Sequence, residues 1–119
     1  MANKEGKMGA LKKVVILHGW TYSLDKWTDF VSSLKKAGFE VELPKIPGLT
    51  EESSEVWNLD KYTDWLYKLL DKCDDKVVLL GHSNGGRIAI NYAVKYPNKL
   101  EKLILIDSAV IYHDEVPVR

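Results

Sequence analysis

With 119 residues the chain holds one domain at most, near the lower size limit for a layered α/β architecture. Hydrophobic residues at 45% and charged residues at 29% are ordinary for a globular protein, and 17 basic against 17 acidic residues leave no net field to draw nucleic acid or an anionic membrane. One cysteine, Cys73, excludes an internal disulfide and a cysteine-cluster zinc site, and no apolar run has the length of a signal peptide core or a membrane span, so a cytoplasmic protein is expected.

Residues 1–10 are polar and read as a loose leader, with the domain running from 11 to 119. Val14-Val15-Ile16-Leu17 is a continuous β-branched and aliphatic run, the pattern of a strand buried on both faces, and it leads into His18-Gly19-Trp20. From Ser23 the period changes: Leu24, Trp27, Val31 and Leu34 share one helical face, with Gly38 as the stop after Lys35 and Lys36. Phe39, Val41 and Leu43 alternate with Glu40 and Glu42, which predicts a half-exposed edge strand. A long aperiodic connection follows from Pro44 to Trp57, and loops of that kind often carry function. Asn58 is placed to cap a helix with Leu59, Tyr62, Leu66, Leu69 and Leu70 on one side; Cys73 closes its apolar face. Val77-Val78-Leu79-Leu80 is a second buried strand. A helix with Ile88, Ala89, Tyr92 and Ala93 on its inner face comes next and stops at Pro97. The last apolar run is Leu103-Ile104-Leu105-Ile106, followed by the tail AVIYHDEVPVR.

The β-α-β-α-β-α-β order predicts a three-layer α/β/α fold around a parallel sheet of about four strands. The charged alternation of 39–43 places that strand outside, and right-handed crossovers then give the spatial order 2-1-3-4. The gap between strands 14–17 and 77–80 is a topological switch point, where ligands bind at the carboxyl ends of strands.

Two loops meet at that point, His18-Gly19-Trp20 and Gly81-His82-Ser83-Asn84-Gly85. The second follows a strand and opens a helix, the setting in which G-x-S-x-G forms a nucleophile elbow. A serine on such a turn holds its hydroxyl clear of the backbone, and the flanking glycines remove Cβ atoms that would collide with neighbouring elements. The Asn84 amide is expected to begin the helix with the dipole behind it, and the Trp20 amide is expected to face it from the other loop. Two such donors suit the oxyanion of acyl transfer.

VVILHGW followed further along by LLGHSNGG resembles the N-terminal half of the α/β-hydrolase superfamily, and LPKIPGLT is similar to the loop after that superfamily's next strand. The resemblance runs from about Leu11 to Asp107. It implies a truncated α/β-hydrolase core with Ser83 as nucleophile and the Trp20 and Asn84 amides as oxyanion hole. A serine, rather than aspartate or cysteine, implies esterase, lipase or thioesterase-like work on a small ester or acyl substrate. A cofactor is not implied, and no metal-ligand spacing appears in the sequence.

In that superfamily the triad runs serine, acid, histidine in chain order, so the usual acid and histidine fall beyond this sequence. Among the histidines present, His82 adjoins Ser83 and points to the opposite side, and His18 corresponds to the histidine that ties down the HG loop. His113 lies beyond the fourth strand on the correct edge as a substitute base. Asp107, at the end of that strand, occupies a position where some members place the triad acid. The fourth strand has no polar alternation and no neighbour beyond it, so self-association or a complementary C-terminal half is expected against it. The alternative to an esterase is a non-catalytic binding or assembly module pairing through that strand. A nucleotide-binding domain is disfavoured, since neither G-x-G-x-x-G nor a P-loop follows the first strand. Trp20, Trp27, Trp57 and Trp65 are candidates for an acyl pocket or for the core.

Overall fold

The computed structural model describes residues 12–19, 24–48 and 57–108. In chain order the strands are β1 (Lys13–Leu17), β2 (Glu40–Glu42), β3 (Val77–His82) and β4 (Leu100–Ile106). The helices are α1 (Thr28–Lys36), α2 (Leu59–Leu70) and α3 (Asn84–Lys95). The strands form one four-stranded sheet in the order β2-β1-β3-β4, with every pairing parallel. This is the expected 2-1-3-4 arrangement. The leader, Trp20, the segment 49–56 and the tail from 109 lie outside the described residues.

The apolar runs of β1 and β3 hide a period of two that the sheet resolves. Val15, Leu17, Val77 and Leu79 face α2 and α3, where they join Ile46, Leu66, Leu70, Ile88, Ala89 and Tyr92. Val14, Ile16, Val78 and Leu80 face the other way, toward Trp27, Val31 and Leu34 of the α1 segment and Phe39, Val41 and Leu43 around β2. Both faces of the central strands are therefore dry, as a parallel sheet requires. The register sets Leu17 beside Gly81, so β1 and β3 end at the same level.

Local chemistry fixes the element ends. Asn58 has extended backbone, and its side-chain oxygen accepts a hydrogen bond from the Lys61 amide at 2.8 Å, which starts α2. The Thr63 hydroxyl donates to the Leu59 carbonyl at 2.9 Å, and the Asn91 side chain donates to that hydroxyl at 2.7 Å, tying α2 to α3. Pro97 forces Tyr96 out of helical geometry and ends α3, although the chain continues through a short 3-10 turn, Pro97–Lys99, before β4. Cys73 packs half-buried beside the α2–α3 core just past the end of α2.

The bounds of four elements differ from the sequence reading. Leu24 and Trp27 belong to a 3-10 turn, Asp25–Trp27, and α1 proper begins at Thr28. The Trp27 amide bonds the Leu24 carbonyl at 3.0 Å, a spacing that tightens the first turn while keeping Trp27, Val31 and Leu34 inward. β2 has only three residues, because pairing with β1 stops at Glu42. β3 and β4 are longer than their apolar runs: β3 continues through Gly81 and His82, which pair with Leu105 and Ile106, and β4 begins earlier, where Leu100 and Lys102 pair with Val77 and Val78.

Among the described residues β4 is the outer strand beside β3, and its apolar residues are open. Leu103, Ile104, Leu105 and Ile106 are 36–41% exposed, although their partners Leu79 and Leu80 in β3 are buried. Both faces of β4 carry this exposure, because Leu103 lies on the face of Leu79 and Ile104 on the face of Leu80.

The cap at α2 has a measurable consequence. Asn58→Ala is expected to lower unfolding stability by about 1 kcal/mol, and Asn58→Ser to restore most of it. Urea denaturation of the three proteins checks this, and an unchanged midpoint for the alanine variant would contradict it.

Candidate active site

Ser83 stands between β3 and α3 with φ 55° and ψ −122°, a conformation that L side chains avoid. Such a residue costs on the order of 1–3 kcal/mol and persists only where its surroundings hold it. Here the grip is explicit. The Ser83 amide donates to the Ile106 carbonyl at the end of β4, at 3.3 Å, and the Ser83 carbonyl accepts from the Gly86 amide at 2.9 Å.

Glycines allow the turn to close. A Cβ on Gly85 would overlap the Leu17 carbonyl oxygen and stand 2.6 Å from the His18 carbonyl oxygen, so the first turn of α3 lies directly on the exit of β1. A Cβ on Gly81 would come within 2.6 Å of the Gly86 α-carbon. Those two positions are the glycines of the G-x-S-x-G pattern, and they are needed for the reason the pattern implies. Gly19 supplies a contact that the pattern does not contain: a Cβ there would lie 2.8 Å from the Ser83 β-carbon. The HG loop and the elbow therefore touch at the serine itself.

The remaining site residues sort by face. His18 is fully buried, and its Nδ1 lies 2.6 Å from the Gly19 carbonyl oxygen, so Nδ1–H donates and the imidazole holds the loop. Burial pushes the His18 pKa below its ordinary value of 6.5, against the upward pull of the Gly19 carbonyl. His82 is half-buried with its ring edge-on to Trp27 at 5.6 Å, which places it on the α1 side of the sheet, away from α3. Asp107 is exposed just past β4 with φ 44°, next to the carbonyl that holds the Ser83 amide. Asn84 opens α3 as expected. Trp20 and His113 lie outside the described residues.

A cleft of about 370 Å³ opens beside the elbow on the α2–α3 side, lined by Trp57, Leu59, Tyr62, Asn84, Arg87 and Ile88. Trp57 lies against Tyr62 at 5.1 Å with Lys61 over its ring, and the Tyr62 hydroxyl donates to the Pro47 carbonyl at 2.9 Å. Of the tryptophans, Trp57 thus belongs to the cleft, whereas Trp65 packs on the α2–α3 core and Trp27 on the opposite core. Among the described residues no group of three or more His, Cys, Asp or Glu is arranged to hold a metal, and no helix is long and apolar enough to cross a membrane.

Residues 12–118 match the family described as the alpha/beta hydrolase fold, and the chain belongs to that family. Its relatives include the putative chloroplastic methylesterase 14 of Arabidopsis thaliana, 29% identical over 113 residues that cover 90% of this chain and 32% of the relative. The 2-hydroxy-6-oxononadienedioate/2-hydroxy-6-oxononatrienedioate hydrolase 1 of Pseudomonas putida is 35% identical over 109 residues, covering 86% of this chain and 37% of the relative. A solved methylesterase from Arabidopsis superposes with a TM-score of 0.72 at 25% identity, over 85% of this chain and 45% of that one. The chain spans about a third of the length of these two curated relatives.

The buried His18 links the loop to pH. Its folded pKa lies below the unfolded one, so between the two the unfolded chain binds more protons and stability rises with pH. Stability is expected to be complete above about pH 6.5 and to fall progressively as the pH drops below that value. Urea midpoints at pH 7.5 and 5.5 measure it: His18→Gln should flatten this part of the dependence, and an equally steep fall in that variant would show that other groups cause it.

Proposed function

We propose that this chain carries the nucleophile and oxyanion-binding part of a serine hydrolase acting on carboxylic esters or related acyl compounds. The observation that carries the reading is the backbone of Ser83, held at φ 55° between β3 and α3 with the HG loop against its β-carbon. In the proposed reaction the Ser83 oxygen attacks the acyl carbon while its proton passes to a base. The carbonyl oxygen becomes an oxyanion on the Asn84 and Trp20 amides, and the C–O bond to the alcohol then breaks, with a proton returned to the leaving oxygen. Water attacks the acyl-serine by the same route in reverse and frees the acid. Methylesterases among the relatives support esters as the substrate class, whereas the Pseudomonas hydrolase is named for a dienedioate, so the acyl group itself does not carry over.

The described histidines are engaged elsewhere, His18 with the Gly19 carbonyl and His82 with Trp27, and neither serves as the base. Asp107 and His113 remain the candidates for acid and base within this chain. The 119-residue chain is accordingly expected to turn over esters feebly. An exogenous base offers the test. With p-nitrophenyl acetate, added imidazole should speed acylation of the protein, and Ser83→Ala should remove that acceleration. Equal acylation in the wild type and Ser83→Ala would overturn the reading.

A second reading, a non-catalytic assembly module on the same scaffold, draws support from the open β4 strand. It expects a dimer or larger species by sedimentation, and a strictly monomeric, cooperatively folding chain would contradict it.

A further inference from the structure

Among the described residues, the non-glycine positions with positive φ are Ser83 and Asp107. They sit at the carboxyl ends of adjacent strands, β3 and β4, and the residues flanking Asp107 grip the elbow at two points. On one side, the Ile106 carbonyl accepts the Ser83 amide at 3.3 Å. On the other, the Ser108 side chain lies so close to the first turn of α3 that a Cβ on Gly86 would come within 2.6 Å of the Ser108 β-carbon. Three consecutive residues thus hold both the entry and the first helical turn of the elbow.

We propose that Asp107 is a positioning residue for the Ser83 elbow, acting through its left-handed backbone and not through its carboxylate. β4 points Ile106 at Ser83. With extended backbone at Asp107, the chain would run on in the strand direction and Ser108 would be carried away from α3. The positive φ turns it back so that Ser108 closes on Gly86. Because β4 is the outer strand beside β3 among the described residues, this turn supplies the outer wall of the elbow. Aspartate, like asparagine, tolerates the left-handed region through local hydrogen bonding of its short side chain, glycine tolerates it freely, and a β-branched residue does not.

The inference deepens the serine hydrolase reading, but its main test does not need turnover. Amide hydrogen exchange reads the Ser83 N–H directly, and that proton is the one held by Ile106. Asp107→Gly and Asp107→Asn should keep Ser83 protection within about threefold of wild type. Asp107→Val should lower it by about tenfold, the scale of the left-handed penalty, with Leu79 in the central sheet unchanged. Loss of protection in the glycine and asparagine variants would overturn the proposal by making the carboxylate the holding group. Retention in the valine variant would overturn it by making the backbone immaterial. Where the valine variant loses Leu79 protection too, Asp107→Ala takes its place, and the glycine and asparagine arms decide regardless. Imidazole-assisted acylation is compared in the wild type and Ser83→Ala alone, because Asp107 is itself a candidate for the acid. Absence of acylation in the wild type would sink Ser83 as nucleophile while leaving the exchange result to judge the positioning role.

Discussion

The whole site depends on one close approach: the first turn of α3 rests on the carbonyl oxygens of Leu17 and His18 with no space for a methyl group at Gly85. That contact locks the end of β1 to the start of α3. It follows from the register, because Leu17 and Gly81 are partners and the chains leaving them must share the same small volume. Everything nearby is adapted to it. Gly19 meets the Ser83 β-carbon without a side chain of its own, and the buried imidazole of His18 holds the Gly19 carbonyl. The strain at Ser83 is tolerated because three elements close around it at once.

The surrounding core explains why the site can be this tight. Central strands with two dry faces leave little freedom for sliding, since a one-residue slip would exchange the Val15 and Val14 faces and their different helices. The Thr63–Asn91 bond then ties α2 to α3, and the Asn58 cap fixes where α2 begins. Precision at the elbow is inherited from this framework and completed by β4, whose terminal residues reach Ser83 and Gly86.

Much of this was legible in the chain. Continuous apolar runs at 14–17 and 77–80 mark buried parallel strands, and the charged alternation at 39–43 marks an edge; together they lead to the 2-1-3-4 order that the sheet adopts. Asn58 was legible as a cap because its signal is local. What escaped depends on contacts between distant residues. Nothing in the string says that Gly19 faces Ser83, that Ser108 lies on Gly86, or that Thr63 is a buried partner for Asn91. The positive φ of Asp107 is likewise a product of tertiary closure, with aspartate only a weak local hint. The tryptophans were undecidable by composition, and the sheet separates them: Trp27 on one core, Trp65 on the other, Trp57 at the cleft.

The proposed acyl transfer requires the elbow to present Ser83 as a nucleophile with an amide ready for the oxyanion. A crystal structure of the chain after reaction with a serine-directed phosphonate, with imidazole as base, tests both halves together. The expected result is phosphorus bonded to the Ser83 oxygen and a phosphonyl oxygen about 2.7–3.1 Å from the Asn84 amide nitrogen. A phosphonyl group attached to another residue, or one on Ser83 whose oxygen turns away from Asn84, would contradict it.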